Sequence, residues 1–149
     1  MGDLHCLRVL YMRATETPAE DVCVLGKLPS LVWLLLSVRE VASAKERAVL
    51  GKGVFPVLEQ FAFFPSNGDI TAFLVFKEGA MPKLRRLRLE VNEWGGSTLV
   101  GMEHLTLLET IFLNVHVDAN SSWTKDDVVS AFRKASQLHP NRPSVERWP

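Results

Sequence analysis

Leucine-type residues recur along this chain in one spacing, L-x-x-L-x-x-L-x-L, and this recurrence constrains the fold more than any other feature of the sequence. If Leu10, Leu34, Phe61, Leu87 and Ile111 are equivalent, the steps between them are 24, 27, 26 and 24 residues. No single unit of this size can bury its own apolar side chains, so neighbouring units must stack and share a core. The segments contain Leu4, Leu7, Leu10 and Met12; Leu28, Leu31, Leu34 and Leu36; Leu58, Phe61 and Phe63; Leu84, Leu87 and Leu89; and Leu105, Leu108, Ile111 and Leu113.

The spacing of apolar residues changes from three to two inside each segment, and this change predicts the local structure. The final L-x-L alternation places two apolar side chains on one face of a short strand, whereas the earlier residues three apart suit the turn that enters it. Repeats of about 20 to 29 residues with this pattern are typical of leucine-rich repeats. We therefore predict an α/β leucine-rich-repeat solenoid, a horseshoe whose parallel sheet of short strands lines the concave face.

The C-terminal part has a different pattern, which predicts a capping helix. Thr124 and Asp127 form a capping box, and apolar residues then recur three or four apart until Pro140 ends the helix. This apolar stripe consists of Val128, Phe132, Ala135 and Leu138. We predict repeats over 1–122, a capping segment over 123–139 whose helix runs from Lys125 to Leu138, and an extended, partly disordered proline-rich tail over 140–149.

The segments between the repeats carry weaker signals. The alanine-rich stretch from Ser43 to Leu50 favours a short helix, and Ile70 to Phe76 favours an extra strand. A local hairpin built on the Asn67-Gly68 turn is the alternative there. The first repeat begins at Leu4 without a polar cap, which favours the C-terminal part of a longer solenoid or the product of a truncated gene.

Charge and hydropathy exclude several classes of function. Lys+Arg and Asp+Glu both number 17, so the composition gives no bias toward nucleic acid or acidic lipid. No apolar run is long enough to span a bilayer, and Asp3 and Arg8 interrupt the region where a secretory signal would be apolar. We expect a cytoplasmic protein with no membrane span.

Catalytic and metal-binding patterns are missing from the sequence. His5, His104, His116 and His139 are scattered, with no metal-ligand spacing among them. His116 lies two residues before Asp118, which could orient its ring, but no nucleophile accompanies the pair. Gly51-Lys52-Gly53 lacks the spacing of a phosphate-binding loop and fits a turn on the convex side. We expect no enzyme activity, no cofactor and no metal.

The outward positions of the strands are the best candidates for a functional site. They form three rows across the repeats, in which aromatic residues and arginine are prominent, and these residue types are enriched at binding hot spots. The alternative role for Trp33 and Phe64 is packing against a neighbouring repeat, a missing N-terminal domain or the convex loops. The alternative role for Arg86 and Arg88 is to keep the face soluble. The candidate protein-binding residues are Tyr11, Arg13, Trp33, Leu35, Gln60, Phe64, Arg86, Arg88 and Phe112.

Three motifs in the second half resemble one known family. Glu78-Gly79-Ala80-Met81-Pro82-Lys83-Leu84 resembles a repeat of plant nucleotide-binding leucine-rich-repeat disease resistance proteins, particularly those of grasses. Gly101-Met102-Glu103-His104-Leu105 is similar to their last repeat. The ending Leu138-His139-Pro140-Asn141-Arg142-Pro143 is similar to the segment that closes their repeats.

The resemblance implies a cytoplasmic immune receptor of the coiled-coil type. In this family the repeats bind a pathogen effector or a guarded host protein, or hold the receptor's own nucleotide-binding domain inactive. The coiled-coil and nucleotide-binding parts do not occur in this sequence, so only the protein-binding surface carries over. A substrate- or ligand-binding adaptor of a ubiquitin ligase is the alternative, because repeat horseshoes also serve there.

Overall fold

The computed structural model of this protein describes residues 7–17, 19–41, 48–65, 74–94, 96, 98–117 and 119–147. In chain order the elements are β1 (Val9–Thr17), α1 (Ala19–Leu25), β2 (Trp33–Val41), β3 (Ala48–Leu50), β4 (Gln60–Pro65), β5 (Leu74–Phe76), β6 (Arg86–Val91), a 3-10 turn (Met102–His104), β7 (Thr110–Val115), α2 (Lys125–Gln137) and β8 (Ser144–Arg147).

The main sheet has six strands in the order β1-β2-β4-β6-β7-β8, and every pairing in it is parallel. Leu10, Leu34, Phe61, Leu87 and Ile111 are successive register partners across this sheet. The predicted equivalence of these five residues, and the leucine-rich-repeat solenoid built on it, are therefore confirmed.

The core lies behind the sheet and is filled by equivalent residues of successive repeats. Leu31, Leu58, Leu84 and Leu108 are each fully buried at the turn that precedes a strand. Phe55 and Met81 are also fully buried, three residues before Leu58 and Leu84. They occupy the first apolar position of their repeats. In the other three repeats this position is leucine, and Phe55 and Met81 were not recognised from the sequence as its equivalents.

Backbone hydrogen bonds tie each strand start to the preceding repeat. The Arg8 carbonyl accepts the N–H groups of Val32 and Trp33, at 2.8 and 3.0 Å. The same two-donor arrangement recurs at the carbonyls of Val32, Glu59 and Arg85. Because the backbone at the strand starts is paired in this way, the repeats keep a single register across the sheet.

A second, two-stranded parallel sheet pairs β3 with β5, and Val75 makes an isolated bridge to Val100. The expected helix is therefore wrong at Ala48–Leu50, where pairing with a distant strand overrides the helix propensity of alanine. The extra strand is confirmed over Leu74–Phe76. Residues 42–47 and the Asn67-Gly68 turn lie outside the described residues.

The C-terminal helix α2 is confirmed, with a capping box that is complete on both sides. The Asp127 N–H donates to Thr124 Oγ1 at 3.2 Å, and the Thr124 N–H donates to Asp127 Oδ2 at 2.8 Å. Val128 and Phe132 are fully buried as predicted, but Leu138 is 87% exposed and its place in the apolar stripe is wrong. Leu138 follows the last helical residue, so the helical period no longer directs it toward the core.

The expected partial disorder of the tail is wrong for β8, which adds a sixth strand to the main sheet. Val145, 34 residues after Ile111, is its register partner and is 8% exposed. His139 fixes the approach to this strand: its Nε2 lies 3.0 Å from the Leu105 carbonyl, and its Nδ1 accepts the Asn141 N–H at 2.9 Å. Since Nδ1 accepts, Nε2 is the ring nitrogen that can donate to the Leu105 carbonyl.

Candidate protein-binding face

The outward positions of the main sheet form the rows expected from the repeat spacing. Val9, Trp33, Gln60, Arg86 and Thr110 are successive register partners, and so are Tyr11, Leu35, Ala62, Arg88 and Phe112. In the third row Arg13 pairs with Ser37, Ser37 with Phe64, and Glu90 with Asn114. We call the outward side chains of these rows the concave face.

Strand alternation explains why these side chains point away from the core. In β2 the inward residues Leu34 and Leu36 are buried, whereas Trp33 and Leu35 between them are half-buried. The same alternation holds in β6, where Leu87 and Leu89 are buried, Arg86 is exposed and Arg88 is half-buried. The side chain at each outward position can therefore vary without a change in the buried core.

The N-terminal half of the concave face is an aromatic patch. The rings of Tyr11 and Trp33 have centroids 4.7 Å apart at 48°. The Trp33 indole N–H donates to Gln60 Oε1 at 2.9 Å, which fixes the orientation of the indole ring. Tyr11 is 66% exposed and Val9 49% exposed. An apolar surface with a fixed indole is the kind of anchor that dominates protein interfaces.

The C-terminal half of the concave face carries charge. The Arg88 guanidinium carbon lies 5.2 Å from the centre of the Phe112 ring, a cation–π distance. Arg86, which lies two residues before Arg88 on β6, is exposed. Glu146 of β8 is the register partner of Phe112. Ala62, only 2% exposed, separates this half from the aromatic patch. The face therefore offers an apolar and a charged region side by side.

The third row ends in a polar cluster at the carboxyl ends of the strands. His116 Nε2 lies 3.6 Å from Glu90 Oε1, and the Asn92 amide donates to Glu90 Oε1 at 3.3 Å and to the Pro65 carbonyl. Arg13 is exposed and Phe64 is half-buried. The Asp118 partner considered for His116 lies outside the described residues.

Sequence reasoning missed several residues of this face. Asn92 follows Leu89 by three positions, where the repeat consensus places an asparagine, so the signal was present. Ser144 and Glu146 extend the first two rows. Their proline-rich surroundings gave no sign of a strand, and only the apolar Val145 between them pointed to one.

The described residues contain no group of three or more His, Cys, Asp or Glu side chains that could hold a metal ion. No helix in the described part of the chain is long and apolar enough to cross a membrane. At Gly51-Lys52-Gly53 the Val54 N–H donates to the Gly51 carbonyl at 3.2 Å, which confirms the predicted turn.

Comparison with known proteins gives two matches. The family model described as a leucine-rich repeat region matches residues 1–145. The disease resistance protein RGA5 of Oryza sativa subsp. japonica is 34% identical over 145 residues, which cover 94% of this chain and 12% of the relative. No solved structure matches. These findings confirm the resemblance to the leucine-rich-repeat region of a plant disease resistance protein.

Proposed function

Because the chain belongs to the leucine-rich-repeat region family, we propose that it is the protein-recognition part of a plant immune receptor. The similarity to a plant disease resistance protein supports this proposal. Since the chain spans 12% of the length of that relative, the other activities of the receptor would belong to other parts of it. No observation on the described residues favours the ubiquitin-ligase adaptor.

The observation that carries the proposal is the composition of the concave face. The exposed Tyr11 ring contacts Trp33, and Gln60 holds the Trp33 indole in place. Because this patch is ordered before binding, a partner would lose little conformational freedom in docking on it. Arg86 and Arg88 beside the patch would select partners by charge.

In the mechanism we propose, two proteins compete for this face. The receptor's own nucleotide-binding domain would occupy it in the resting state, in the cytoplasm. A pathogen effector or a guarded host protein would bind the same side chains and shift the receptor toward its active state by its higher affinity for that state. The ratio of the partner's affinities for the active and the resting state sets how far its binding shifts the equilibrium between them.

The test is substitution of the concave face within a receptor that carries this chain. Trp33→Ala and Arg88→Glu should either abolish the response to the effector or raise the resting activity, because both partners use these side chains. Removing a central aromatic anchor typically costs about 2 kcal/mol or more of binding free energy. Cell-death response and receptor abundance would be measured together in leaf tissue.

Val24→Ala is the matched control, since Val24 is 60% exposed on α1, away from the main sheet. It should leave both the resting and the effector-induced response unchanged. If the Trp33 and Arg88 variants accumulate normally and behave like the Val24 variant, the concave face is not the recognition surface.

A further inference from the structure

A second surface lies at the edge of the sheet where the strands begin. A cleft of about 710 Å³ opens there, and Arg8, Val32, Val57, Glu59, Lys83 and Arg85 line it. Arg8, Val32, Glu59 and Arg85 each directly precede a strand of the main sheet. We call this surface the edge cleft. It is separate from the concave face, whose candidate residues lie within the strands.

The backbone of the edge cleft has little left to offer a ligand. The carbonyls of Arg8, Val32, Glu59 and Arg85 each accept two N–H groups from the next repeat. The N–H groups of Val32, Glu59 and Arg85 are donors in the same bonds. A ligand must therefore be recognised by side chains.

The side chains of the cleft carry an excess of positive charge. Arg8, Lys83 and Arg85 face one carboxylate, Glu59, although the whole chain has no net charge. Arg85 also approaches Glu109 at 3.9 Å, but both side chains are more than half exposed, and an exposed pair of this kind is weak. The cleft therefore suits an acidic ligand.

Strand order fixes the spacing of these charges. Arg8 precedes β1 and Arg85 precedes β6, three strand positions away, so their backbones lie about 14 Å apart at the usual strand separation. Val32 occupies the first position between them, and Glu59 the second. Along the edge the pattern is thus cation, apolar residue, carboxylate and cation.

We propose that the edge cleft binds an extended acidic peptide segment of a partner protein. Two carboxylates about four residues apart would span the distance from Arg8 to Arg85 at about 3.3 Å per residue. A basic residue two positions before the second carboxylate, on the same side of the extended segment, would face Glu59. Glu59 disfavours nucleic acid, because an unbroken row of phosphates would place negative charge against it.

The probe is a fluorescent eight-residue peptide with glutamates at its second, sixth and seventh positions, a lysine at its fourth, and alanine or serine elsewhere. Fluorescence anisotropy would measure its binding to the purified chain at low salt. Charge reversal by Arg8→Glu with Arg85→Glu should weaken binding by at least about tenfold, because two attractions become repulsions. A peptide with the glutamates changed to lysine and the lysine to glutamate should in turn prefer this variant.

Arg133→Glu with Lys134→Glu is the matched control, since it makes the same change of charge on the exposed part of α2. It should bind the probe like the unmodified chain. A shuffled peptide of the same composition, with its three glutamates adjacent, should bind less tightly. Carbodiimide treatment of the complex should join a peptide carboxylate to Lys83, a readout that needs no variant.

Several results would overturn the proposal. These are equal binding by the charge-reversed variant, equal weakening in the α2 control, tighter binding of an oligonucleotide than of the peptide, or carbodiimide products that join the peptide to neither Lys83 nor Glu59. The Trp33→Ala variant distinguishes a failure of this proposal from a failure of the function proposed above. It should leave peptide binding intact even if it abolishes recognition at the concave face, whereas loss of peptide binding would place the peptide on that face.

Discussion

At the scale of single residues, two buried side chains hold an unusual backbone conformation. Phe55 and Met81 have φ angles of 51° and 43°, and each precedes a proline. Left-handed conformations of non-glycine residues cost about 1–3 kcal/mol. Full burial of such a side chain stabilises by about 1.5–3 kcal/mol, which offsets this cost. The sequence could not have predicted these angles, because residues before proline normally adopt extended conformations.

Gly101 lies where the backbone leaves no room for a side chain. A Cβ atom there would overlap the Phe76 carbonyl, and the φ of 82° is already unfavourable for any other residue. We expect Gly101→Ala to lower the free energy of unfolding by more than about 2 kcal/mol. Gly53→Ala is the control: its φ is 85°, but the added Cβ meets nothing within 4 Å, so only the strain remains. Urea denaturation would compare them, and equal losses would contradict the predicted overlap.

His139 is one of the residues that join the C-terminal segment to the last repeat. It is 2% exposed, and both ring nitrogens are hydrogen-bonded. His139→Ala would leave the Leu105 carbonyl and the Asn141 N–H without these partners, and the bond to the Leu105 carbonyl is buried, so its loss should cost about 1–3 kcal/mol. His104→Ala removes only a half-exposed contact with Glu103 at 3.9 Å and should cost less than about 1 kcal/mol. Thermal unfolding would measure the stability of both variants. A loss of stability in the His104 variant as large as that in the His139 variant would contradict the role given to His139.

At the scale of elements, local signals were easier to predict than long-range pairing. The start of α2 was predicted correctly because Thr124 and Asp127 bond to each other's backbone within one turn. β8 was missed because it depends on β7, more than 30 residues away, and on the His139 contacts. β3 was mistaken for part of a helix for the same reason, since its partner β5 lies a full repeat later in the chain, with Ala48 paired to Leu74.

The packing of α2 gives a prediction with an internal control. Phe132 is fully buried against the last repeats, whereas Leu138 is 87% exposed. Phe132→Ala should lower the free energy of unfolding by about 3–5 kcal/mol, because it opens a cavity in the core. Leu138→Ala should change it by less than about 0.5 kcal/mol. Guanidinium denaturation of both variants is the measurement, and a large Leu138 effect would mean that this residue packs in the core after all.

At the scale of the whole molecule, the repeat period alone predicted most of the sheet. Since each repeat returns to the same register, knowing that Leu10 pairs with Leu34 determines which outward residues share a row. The period could not predict the contacts within a row, such as the Tyr11–Trp33 ring pair, because these depend on side-chain rotamers. Nor could it predict Glu146 at the end of a row, because α2 interrupts the period before β8.

We propose the concave face as the surface on which a partner protein docks. The most direct test of this proposal places a photo-crosslinking amino acid at Tyr11, 66% exposed on that face, or at Val100, 47% exposed beside the second sheet. In a receptor of the proposed kind that contains this chain, we expect the Tyr11 position to crosslink to the nucleotide-binding domain at rest and to the effector or guarded protein after challenge. The Val100 position should crosslink to neither. Crosslinks from Val100 with none from Tyr11 would show that partner proteins bind the second sheet and not the concave face.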